Sequence, residues 1–392
     1  MPTNAKRPQQ SDVLPHRKHQ TISRNFSTAE VRYADGWPAS PPVPLHGENT
    51  RRITEPIEAK RLRVGAHCWL DVPACRTTAQ VNPDYPTIYE HVAKWVRKYL
   101  PFSDDCEMTR FFESRYSLWE SMLYPTGLAG RVVHCSCVTS MMFEIDDVAL
   151  LQQPLFMEIA ADWVADHPYG EAFSSAFGTL ERHMPSGVYR RYRKDWQDCF
   201  VGWMREYEYS DRKEIPDIHT CLEIRRLSVG LTPHITAAEY VNQLDLTELV
   251  LGDREMLIAK HTAVEHAMLV NELLSFRKEY YDYEYINLVA SLIHVHDFSL
   301  QEAFDFISAL IEDADRKLAV LIQILRLRYP FVPSSYFDTL NSICAGNLRW
   351  SFETSRYNGS TYGWNGLRSG WLSLYPHQTI IDVAPHLGSV SQ

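Results

Sequence analysis

Apolar residues recur along most of this 392-residue chain at the spacing of α-helices, and no run of alternating apolar and polar residues predicts a β-sheet. In one helix, Ser299 is an N-cap candidate with Glu302 three residues later, and Pro330 ends the pattern. The predicted helices lie at residues 86–100, 106–122, 128–151, 153–165, 170–182, 188–208, 217–228, 234–246, 254–284, 285–295, 299–329 and 334–357. The pattern therefore predicts an all-α bundle, large enough to enclose a cavity.

The amino-terminal segment differs in composition from the rest of the chain. Residues 1–50 are polar, contain seven prolines and lack the apolar core of a signal peptide. With 45% apolar residues and only 17 glycines, the chain is expected to form one large domain. We therefore expect a disordered tail at residues 1–55, a single helical domain at 56–375 and a flexible tail at 376–392.

Charge and cysteine content narrow the classes of partner. The net charge of −10 argues against nucleic acid, whose phosphates the surface would repel. No stretch of about 18 uncharged apolar residues is present, so stable membrane insertion is not expected. The eight cysteines are scattered, which favours a reducing compartment such as the cytoplasm. A small-molecule partner is expected, with the chain either a monomer or a homodimer.

Two adjacent carboxylates, Asp146 and Asp147, interrupt the otherwise apolar run at residues 131–151. Burying neighbouring carboxylates without partners costs several kcal/mol or forces protonation. Metal cations placed between the pair and a diphosphate would remove that cost. The alternative is an exposed helix end that the two aspartates just reach.

A second cluster of polar residues lies on the predicted helix at 254–284. Asn271, Ser275 and Glu279 follow each other at intervals of four residues, so they lie at about 0°, 40° and 80° around the helix axis. Amide, hydroxyl and carboxylate oxygens suit Mg²⁺, which prefers octahedral oxygen coordination. Lys278 shares the face and is placed to meet a phosphate. The alternative is an ordinary amphipathic helix with a polar segment.

The aspartate pair ending an apolar helix, followed 125 residues later by Asn-x-x-x-Ser-x-x-Lys-Glu, resembles the fungal-type, single-domain class I terpene synthases. Residues 223–230, Glu-Ile-Arg-Arg-Leu-Ser-Val-Gly, resemble the segment whose arginine senses diphosphate and whose glycine breaks a helix facing the substrate. Residues 346–357 resemble the carboxy-terminal segment that closes an Arg-Tyr pair onto the diphosphate. The resemblance covers roughly residues 85–360 and implies the single-domain class I helical bundle.

The resemblance also implies a metal site. By family pattern, Asp146, Asp147, Asn271, Ser275 and Glu279 would hold Mg²⁺, with three ions around a bound diphosphate.

Diphosphate binding and the cavity wall are assigned in the same way. Arg226, by its four-residue offset to Gly230, matches the diphosphate sensor, with Arg225 as the second choice. The other residues implied to bind diphosphate are Lys278, Arg356 and Tyr357. Those expected to line the cavity are Phe112, Phe143, Gly230 and Trp350, with Trp119 and Tyr124 as further candidates.

The chain departs from the family pattern at two places. The third acidic residue expected shortly after Asp146 is replaced by Ala149 and Leu150, which thins the metal shell to Asp146 and Asp147. The residue after Asn271 is Glu272 instead of the usual aspartate, a mild change because that carboxylate is not one of the implied ligands.

The function implied is Mg²⁺-dependent ionisation and cyclisation of farnesyl diphosphate to a sesquiterpene, the work of a lyase in fungal secondary metabolism. A diterpene cyclase acting on geranylgeranyl diphosphate is the alternative within enzymes. A chain-elongating prenyltransferase would need a second aspartate-rich motif where this chain has Asn271, Ser275 and Glu279. The missing third acid leaves a further alternative, a non-catalytic isoprenoid-binding homologue.

Overall fold

Helices make up most of the described chain, as the apolar spacing predicts. The computed structural model describes residues 50–52, 66–148, 168–281, 284, 286–359 and 367–374, which all lie in the unit formed by Gly36–Gln392. The helices are Tyr85–Tyr99 (α1), Asp105–Glu113 (α2), Tyr116–Leu123 (α3), Ala129–Val148 (α4), Gly170–His183 (α5), Ser186–Arg212 (α6), Ile218–Ser228 (α7), Thr232–Val241 (α8), Thr247–Gly252 (α9), Arg254–Tyr281 (α10), Leu288–His294 (α11), Leu300–Arg328 (α12), Ser334–Glu353 (α13) and Ser355–Asn358 (α14).

Two small antiparallel sheets stand beside the helices. The strands are Thr50–Arg52 (β1), His67–Leu70 (β2), Glu214–Pro216 (β3) and Gly370–Ser373 (β4). Strand β1 pairs with β3 in the register Thr50↔Pro216, and β2 pairs with β4 in the register His67↔Ser373. Strands of three or four residues are too short to show an alternating pattern, which is why the sequence did not predict them. Within the residues described, no helix has the length and apolar character needed to span a membrane.

Helix α10 is the centre of the bundle. It packs against α12 and α13 and also contacts α7, α8, α11 and α14. Its apolar residues between Met256 and Phe276 are buried on nearly all sides, as expected for a helix enclosed by others. The polar stretch that begins at Asn271 is therefore held inside the bundle and not on its surface.

Several predicted helices have different bounds. The predicted helix at 106–122 divides into α2 and α3 because Arg115 adopts a left-handed backbone with φ of 58°. The predicted helix at 334–357 divides at Thr354, whose side chain caps α14 by accepting a hydrogen bond from the Arg356 N–H at 3.2 Å. The predicted helix at 153–165, the tail at 376–392 and most of the tail at 1–55 lie outside the described residues.

Helices α6 and α7 approach each other unusually closely at Gly202. A Cβ atom there would lie 2.6 Å from the backbone nitrogen of Ser228 and 2.8 Å from its Cα. Only glycine permits this approach, since backbone atoms cannot rotate aside as a flexible side chain can. The contact sets the position of the carboxy-terminal end of α7.

A buried group of charged residues joins α6, α8 and α10. The carboxylate of Glu239 accepts two hydrogen bonds from Arg191, at 2.9 and 2.7 Å, and lies 3.8 Å from the Lys260 ammonium. Asp195 accepts a hydrogen bond of 2.6 Å from Thr236. Burial raises the pKa of Asp195 to about 6, although Lys260 and Thr236 oppose the rise.

The close contact at Gly202 generates the first prediction. Gly202→Ala should lower the free energy of unfolding by about 1–3 kcal/mol, because α6 and α7 must separate to admit the methyl group. Thermal unfolding followed by circular dichroism measures the effect. Gly130→Ala is the matched control, since nothing lies within 4 Å of the added Cβ in that helix. An equal loss in both variants would contradict the close-contact explanation.

The second prediction concerns Asp195. Because its folded-state pKa is raised, the uncharged carboxyl stabilises the fold at low pH, and this stability is lost as pH rises through about 6. The side chain of the Asp195→Asn variant cannot ionise, so its stability should not share this pH dependence. The melting temperature of the variant minus that of the parent should therefore be about 2 °C higher at pH 7.5 than at pH 5, after allowance for partial exposure. Melting curves at both values test this, and a difference independent of pH would refute it.

Candidate active site

A cavity of about 160 Å³ opens between α3, α4, α6, α7, α8, α10 and α14. One part of its wall is apolar and aromatic, and another part carries charged and amide groups. Asp146 from α4, Arg225 from α7 and Asn271 from α10 all line it, although they lie far apart in the chain. Several of the predicted polar groups, from separate parts of the chain, therefore meet at one cavity.

The three oxygen-bearing residues of α10 have well-defined partners. Asn271 Oδ1 accepts a hydrogen bond from Arg225 at 2.7 Å, and Glu279 accepts one from the Asn287 side chain at 2.8 Å. Ser275 is fully buried, and its hydroxyl donates to the Asn271 carbonyl at 2.7 Å. Asn271 and Glu279 line the cavity, while Ser275 lies between them on the same face of the helix.

Asp146 faces the α10 residues from α4. Its carboxylate accepts a hydrogen bond from Arg356 at 2.8 Å, and its side chain is about one-third exposed. The predicted second ligand, Asp147, follows in the same helix, and its side chain lies outside the described part of the structure. One of the two aspartates is thus placed at the cavity.

Of the two arginines of α7, the structure places the second choice, Arg225, at the cavity. Arg226, the predicted sensor, forms a buried two-bond pair with Glu265, both at 2.9 Å, and does not line the cavity. Arg225, the second choice, lines it. Successive residues of a helix point about 100° apart, so only one of the two can face the cavity, and the four-residue offset to Gly230 did not identify which.

Arg225 is held by two carboxylates that the sequence analysis did not assign to the site. Its guanidinium donates to Glu272 at 2.6 Å and to Glu206 at 2.8 Å. Burial disfavours the charged guanidinium, but Glu272 and Glu206 outweigh it and raise the pKa of Arg225. Glu272 stands out in the sequence because the family pattern has aspartate there, whereas no sequence signal marked Glu206.

Burial also disfavours the charged form of Glu272 and so raises the pKa of its carboxyl, against the opposing effect of Arg225. Both Glu272 oxygens accept hydrogen bonds, one from Arg225 and the other from the Leu288 N–H at 2.8 Å. This pattern of donors matches the carboxylate form, which accepts only.

The Arg-Tyr pair at the start of α14 is docked onto α4 and α10. The Tyr357 hydroxyl accepts a hydrogen bond from the Asn271 amide at 2.7 Å, and burial raises the pKa of Tyr357. Arg277 donates to the Tyr357 carbonyl at 3.0 Å and thereby fixes the segment. Arg356 reaches Asp146 and also lies 5.3 Å from the centre of the Phe143 ring. The carboxy-terminal pair therefore contacts both halves of the predicted metal site.

The cavity mouth carries excess negative charge. Burial raises the pKa of Glu284 to about 7; its partner Lys278, 3.4 Å away, opposes this, and the nearby Glu279 and Asp146 add to it. Neighbouring carboxylates that raise the pKa of Glu284 indicate a place where a cation would be stabilised. Together with the all-oxygen set of Asp146, Asn271, Ser275 and Glu279, this charge fits a hard divalent cation such as Mg²⁺.

The aromatic wall differs in part from the prediction. Phe143 and Gly230 line the cavity, and Gly230 has φ of +69°, the helix break expected between α7 and α8. Phe112 does not line it and instead lies under the Arg97 guanidinium at 4.6 Å. Trp350 is also set back, because it is buried behind Trp119 and Phe143. Phe112 and Trp350, which were predicted to line the cavity, therefore do not line it.

Tryptophan and tyrosine side chains other than Tyr357 also line the cavity, and of these the sequence had suggested Trp119 alone. These are Trp119, Trp196, Trp203 and Tyr207. All but Trp119 lie on α6, between the motifs that pointed to the site, so helical spacing gave no reason to choose them over other buried aromatics.

Comparisons with known proteins agree with this architecture. Residues 141–317 match the family model described as Terpene synthase family 2, C-terminal metal binding. Microbial Terpene synthase-like protein 13 of Selaginella moellendorffii is 27% identical over 310 residues, covering 73% of this chain and 86% of that protein. Silphinene synthase peniA of Penicillium patulum is 23% identical over 342 residues, covering 79% of this chain and 90% of that protein.

Solved structures match the greater part of this chain. The linalool/nerolidol synthase of Streptomyces clavuligerus, crystallised with 2-fluorogeranyl diphosphate, aligns with a TM-score of 0.64 at 21% identity, over 69% of this chain and 100% of that chain. The chain thus has the all-α class I terpene synthase fold. Its relatives include proteins from Selaginella, Penicillium and Streptomyces, so the comparisons do not single out the fungal type.

The different positions of Arg225 and Arg226 generate a prediction about anion binding. Arg225→Gln, combined with Glu272→Gln so that the fully buried Glu272 carboxylate is not left without its guanidinium partner, should weaken the binding of inorganic diphosphate with Mg²⁺ at least tenfold. Glu206 also loses Arg225 but keeps its hydrogen bond from Ser228. Arg226→Gln should bind diphosphate like the parent, although losing the buried Glu265 pair should destabilise the fold by about 3–5 kcal/mol. Calorimetric titration and thermal unfolding separate the two effects. Loss of binding in the Arg226 variant alone would reverse the assignment.

Proposed function

We propose that this protein catalyses the Mg²⁺-dependent ionisation and cyclisation of a linear prenyl diphosphate and releases inorganic diphosphate. The observation that carries the proposal is the convergence of Asp146, Asn271 and Glu279 with three basic side chains beside one aromatic-walled cavity. The three basic side chains are Arg225, Lys278 and Arg356. A carboxylate and amide cluster facing cations suits a diphosphate with its metal ions, and the aromatic wall suits the hydrocarbon chain.

The polar end of the cavity would bind the leaving group. Asp146, Asn271, Ser275 and Glu279 are the residues proposed to hold Mg²⁺, with Asp147 as a further candidate. Bound Mg²⁺ would neutralise the charge that develops on the diphosphate as the carbon–oxygen bond breaks.

The chain's own cations would act on the same charge. Arg225 and Arg356 are held in place by Glu206, Glu272 and Asp146, so little reorganisation is needed when they donate to phosphate oxygens. Lys278 would add a point charge, and the buried Tyr357 hydroxyl a further donor.

The aromatic end would hold the carbocation. The faces of Trp119, Phe143 and Trp196 can each stabilise a nearby positive charge by roughly 0.5–2 kcal/mol. Exclusion of water from this end would prevent early capture of the cation.

Farnesyl diphosphate is the proposed substrate, which would make the product a sesquiterpene and the protein a lyase of secondary metabolism. The cavity of about 160 Å³ is close in size to an engineered cavity of about 150 Å³ that accepts benzene. The side chains of the wall must therefore move apart to admit even a 15-carbon chain. A 20-carbon chain would need still more space, which favours farnesyl over geranylgeranyl diphosphate. Silphinene synthase and the linalool/nerolidol synthase are both terpene synthases, which supports the proposal without deciding the substrate.

Incubation of the purified protein with prenyl diphosphates of 10, 15 and 20 carbons, with and without Mg²⁺, tests the proposal. We expect Mg²⁺-dependent diphosphate release and volatile hydrocarbons, with the 15-carbon substrate preferred. Asn271→Ala or Glu279→Ala should reduce the rate below about a tenth of the parent's, a loss of at least 1.4 kcal/mol in transition-state stabilisation.

The matched control is Glu255→Ala, a substitution in the first turn of the same helix, at a side chain that pairs with Arg328 away from the cavity. It should retain the parent's rate. Prenyl diphosphate binding without any diphosphate release would instead support the non-catalytic isoprenoid-binding homologue, for which the absence of a third acid at Ala149 or Leu150 is the specific indication.

A further inference from the structure

An imidazole forms part of the cavity wall at the amino-terminal end of α8. His234 follows the helix break at Gly230, lines the cavity and is only 2% exposed. Its ring stands edge-on to two tryptophans of the wall, with centroids 4.8 Å from Trp119 and 5.9 Å from Trp196. A titratable group therefore lies among the aromatic faces proposed to surround the carbocation.

A buried carboxylate lies directly behind this imidazole. Glu120 of α3 is fully buried and does not line the cavity; its Oε1 is 3.4 Å from His234 Nδ1. Its Oε2 accepts a hydrogen bond of 2.8 Å from Thr139, another wall residue. Across the described part of the chain, His234 is the one basic side chain within ion-pair distance of Glu120.

A buried carboxylate such as that of Glu120 lowers the stability of the fold unless its charge is compensated. Burying a charge costs several kcal/mol unless it is paired, and an apolar residue of similar volume often serves stability as well or better. Packing alone therefore gives no reason for Glu120, whereas a group that stabilises positive charge on His234 does.

The pair is also remote from the diphosphate end of the cavity. Thr139, which binds Glu120, precedes Asp146 by seven residues on α4, so the two share a face and lie about 10 Å apart along the helix axis. Proton transfer requires heavy atoms within roughly 2.6–3.2 Å, or one bridging water. For a proton released near Thr139, the imidazole beside Glu120 is therefore a nearer acceptor than a diphosphate held near Asp146.

We infer that His234, supported by Glu120, accepts the proton that ends the reaction. This inference rests on the proposed function. A C–H bond next to the cationic carbon breaks, its electron pair becomes the new C=C double bond, and the proton passes to His234. Nδ1 faces Glu120, so Nε2 is the nitrogen that accepts the proton. The proton leaves to solvent when the cavity opens to release product.

Glu120 is a positioning residue in this scheme, since it acts through His234. Its carboxylate, 3.4 Å from Nδ1, would stabilise the imidazolium that forms when Nε2 accepts the proton, in the way that a buried carboxylate supports a catalytic histidine elsewhere. Glu120 lies behind the wall, so its isosteric replacement changes the charge and leaves the shape of the cavity unchanged.

The test compares His234→Gln and Glu120→Gln with the parent, measuring diphosphate release and product distribution for each prenyl diphosphate. Both variants should release diphosphate within about threefold of the parent's rate, because ionisation occurs at the other end of the cavity. In both, the share of the parent's main product should fall at least fivefold, replaced by products of earlier deprotonation or water capture. The double variant should match His234→Gln alone, because Glu120 acts only through the imidazole.

His266→Gln is the control for replacing a buried histidine. His266 lies on α10, does not line the cavity, and bonds the Ala74 carbonyl at 2.7 Å, so its variant should give the parent's products. If His234→Gln does not fold, judged by circular dichroism, Glu120→Gln decides the matter alone.

The possible failures are distinguishable. A parent that releases no diphosphate from any substrate overturns the proposed function and this inference with it. An active parent whose products are unchanged in both variants overturns the inference alone. A change in His234→Gln without one in Glu120→Gln would show that the wall's shape, and not proton transfer, controls the products, and would also overturn it.

Discussion

The ion-pair network around Arg225 is the interaction on which the candidate site depends. One guanidinium joins Glu206 of α6, Glu272 of α10 and the Asn271 amide, and Glu272 in turn accepts the Leu288 N–H at the start of α11. Each of these groups would be costly to bury alone, and breaking one member would leave the others uncompensated. The network therefore holds three helices in register where a diphosphate is proposed to bind.

The rest of the site follows from that register. Asn271, fixed by Arg225 on one side, donates to the Tyr357 hydroxyl on the other, so the carboxy-terminal helix is positioned by the same network. Arg356 then reaches Asp146 across the mouth. The close contact at Gly202 serves the same end, because it brings α6 near enough to α7 for Glu206 to meet Arg225.

Motifs in the sequence predicted a large part of the site. Asp146, Asn271, Glu279, Lys278, Arg356 and Tyr357 were all chosen from spacing or resemblance, and all line the cavity. Asn271, Glu279 and Lys278 were accessible to prediction because helical periodicity states which residues share a face. Asp146 was marked by its place in an apolar run and by the family resemblance, and Arg356 and Tyr357 by the resemblance alone. The choice between Arg225 and Arg226 was not accessible in this way, since it depends on the rotation of α7 against α10. Glu206, Glu120 and His234 carried no signal, because a polar residue in an amphipathic helix looks the same whether it faces solvent or a buried partner.

The sequence by itself determined the all-α class, most helix bounds and the helix break at Gly230, since these depend on local periodicity, capping and backbone freedom. Tertiary structure decided which aromatics form the wall. Trp119 and Trp196 line the cavity whereas Phe112 and Trp350 do not, although all four are bulky aromatic residues in helices. Tertiary structure also split the helix at Arg115 and paired the short strands. These features depend on contacts between segments distant in the chain, whose energies no local pattern records.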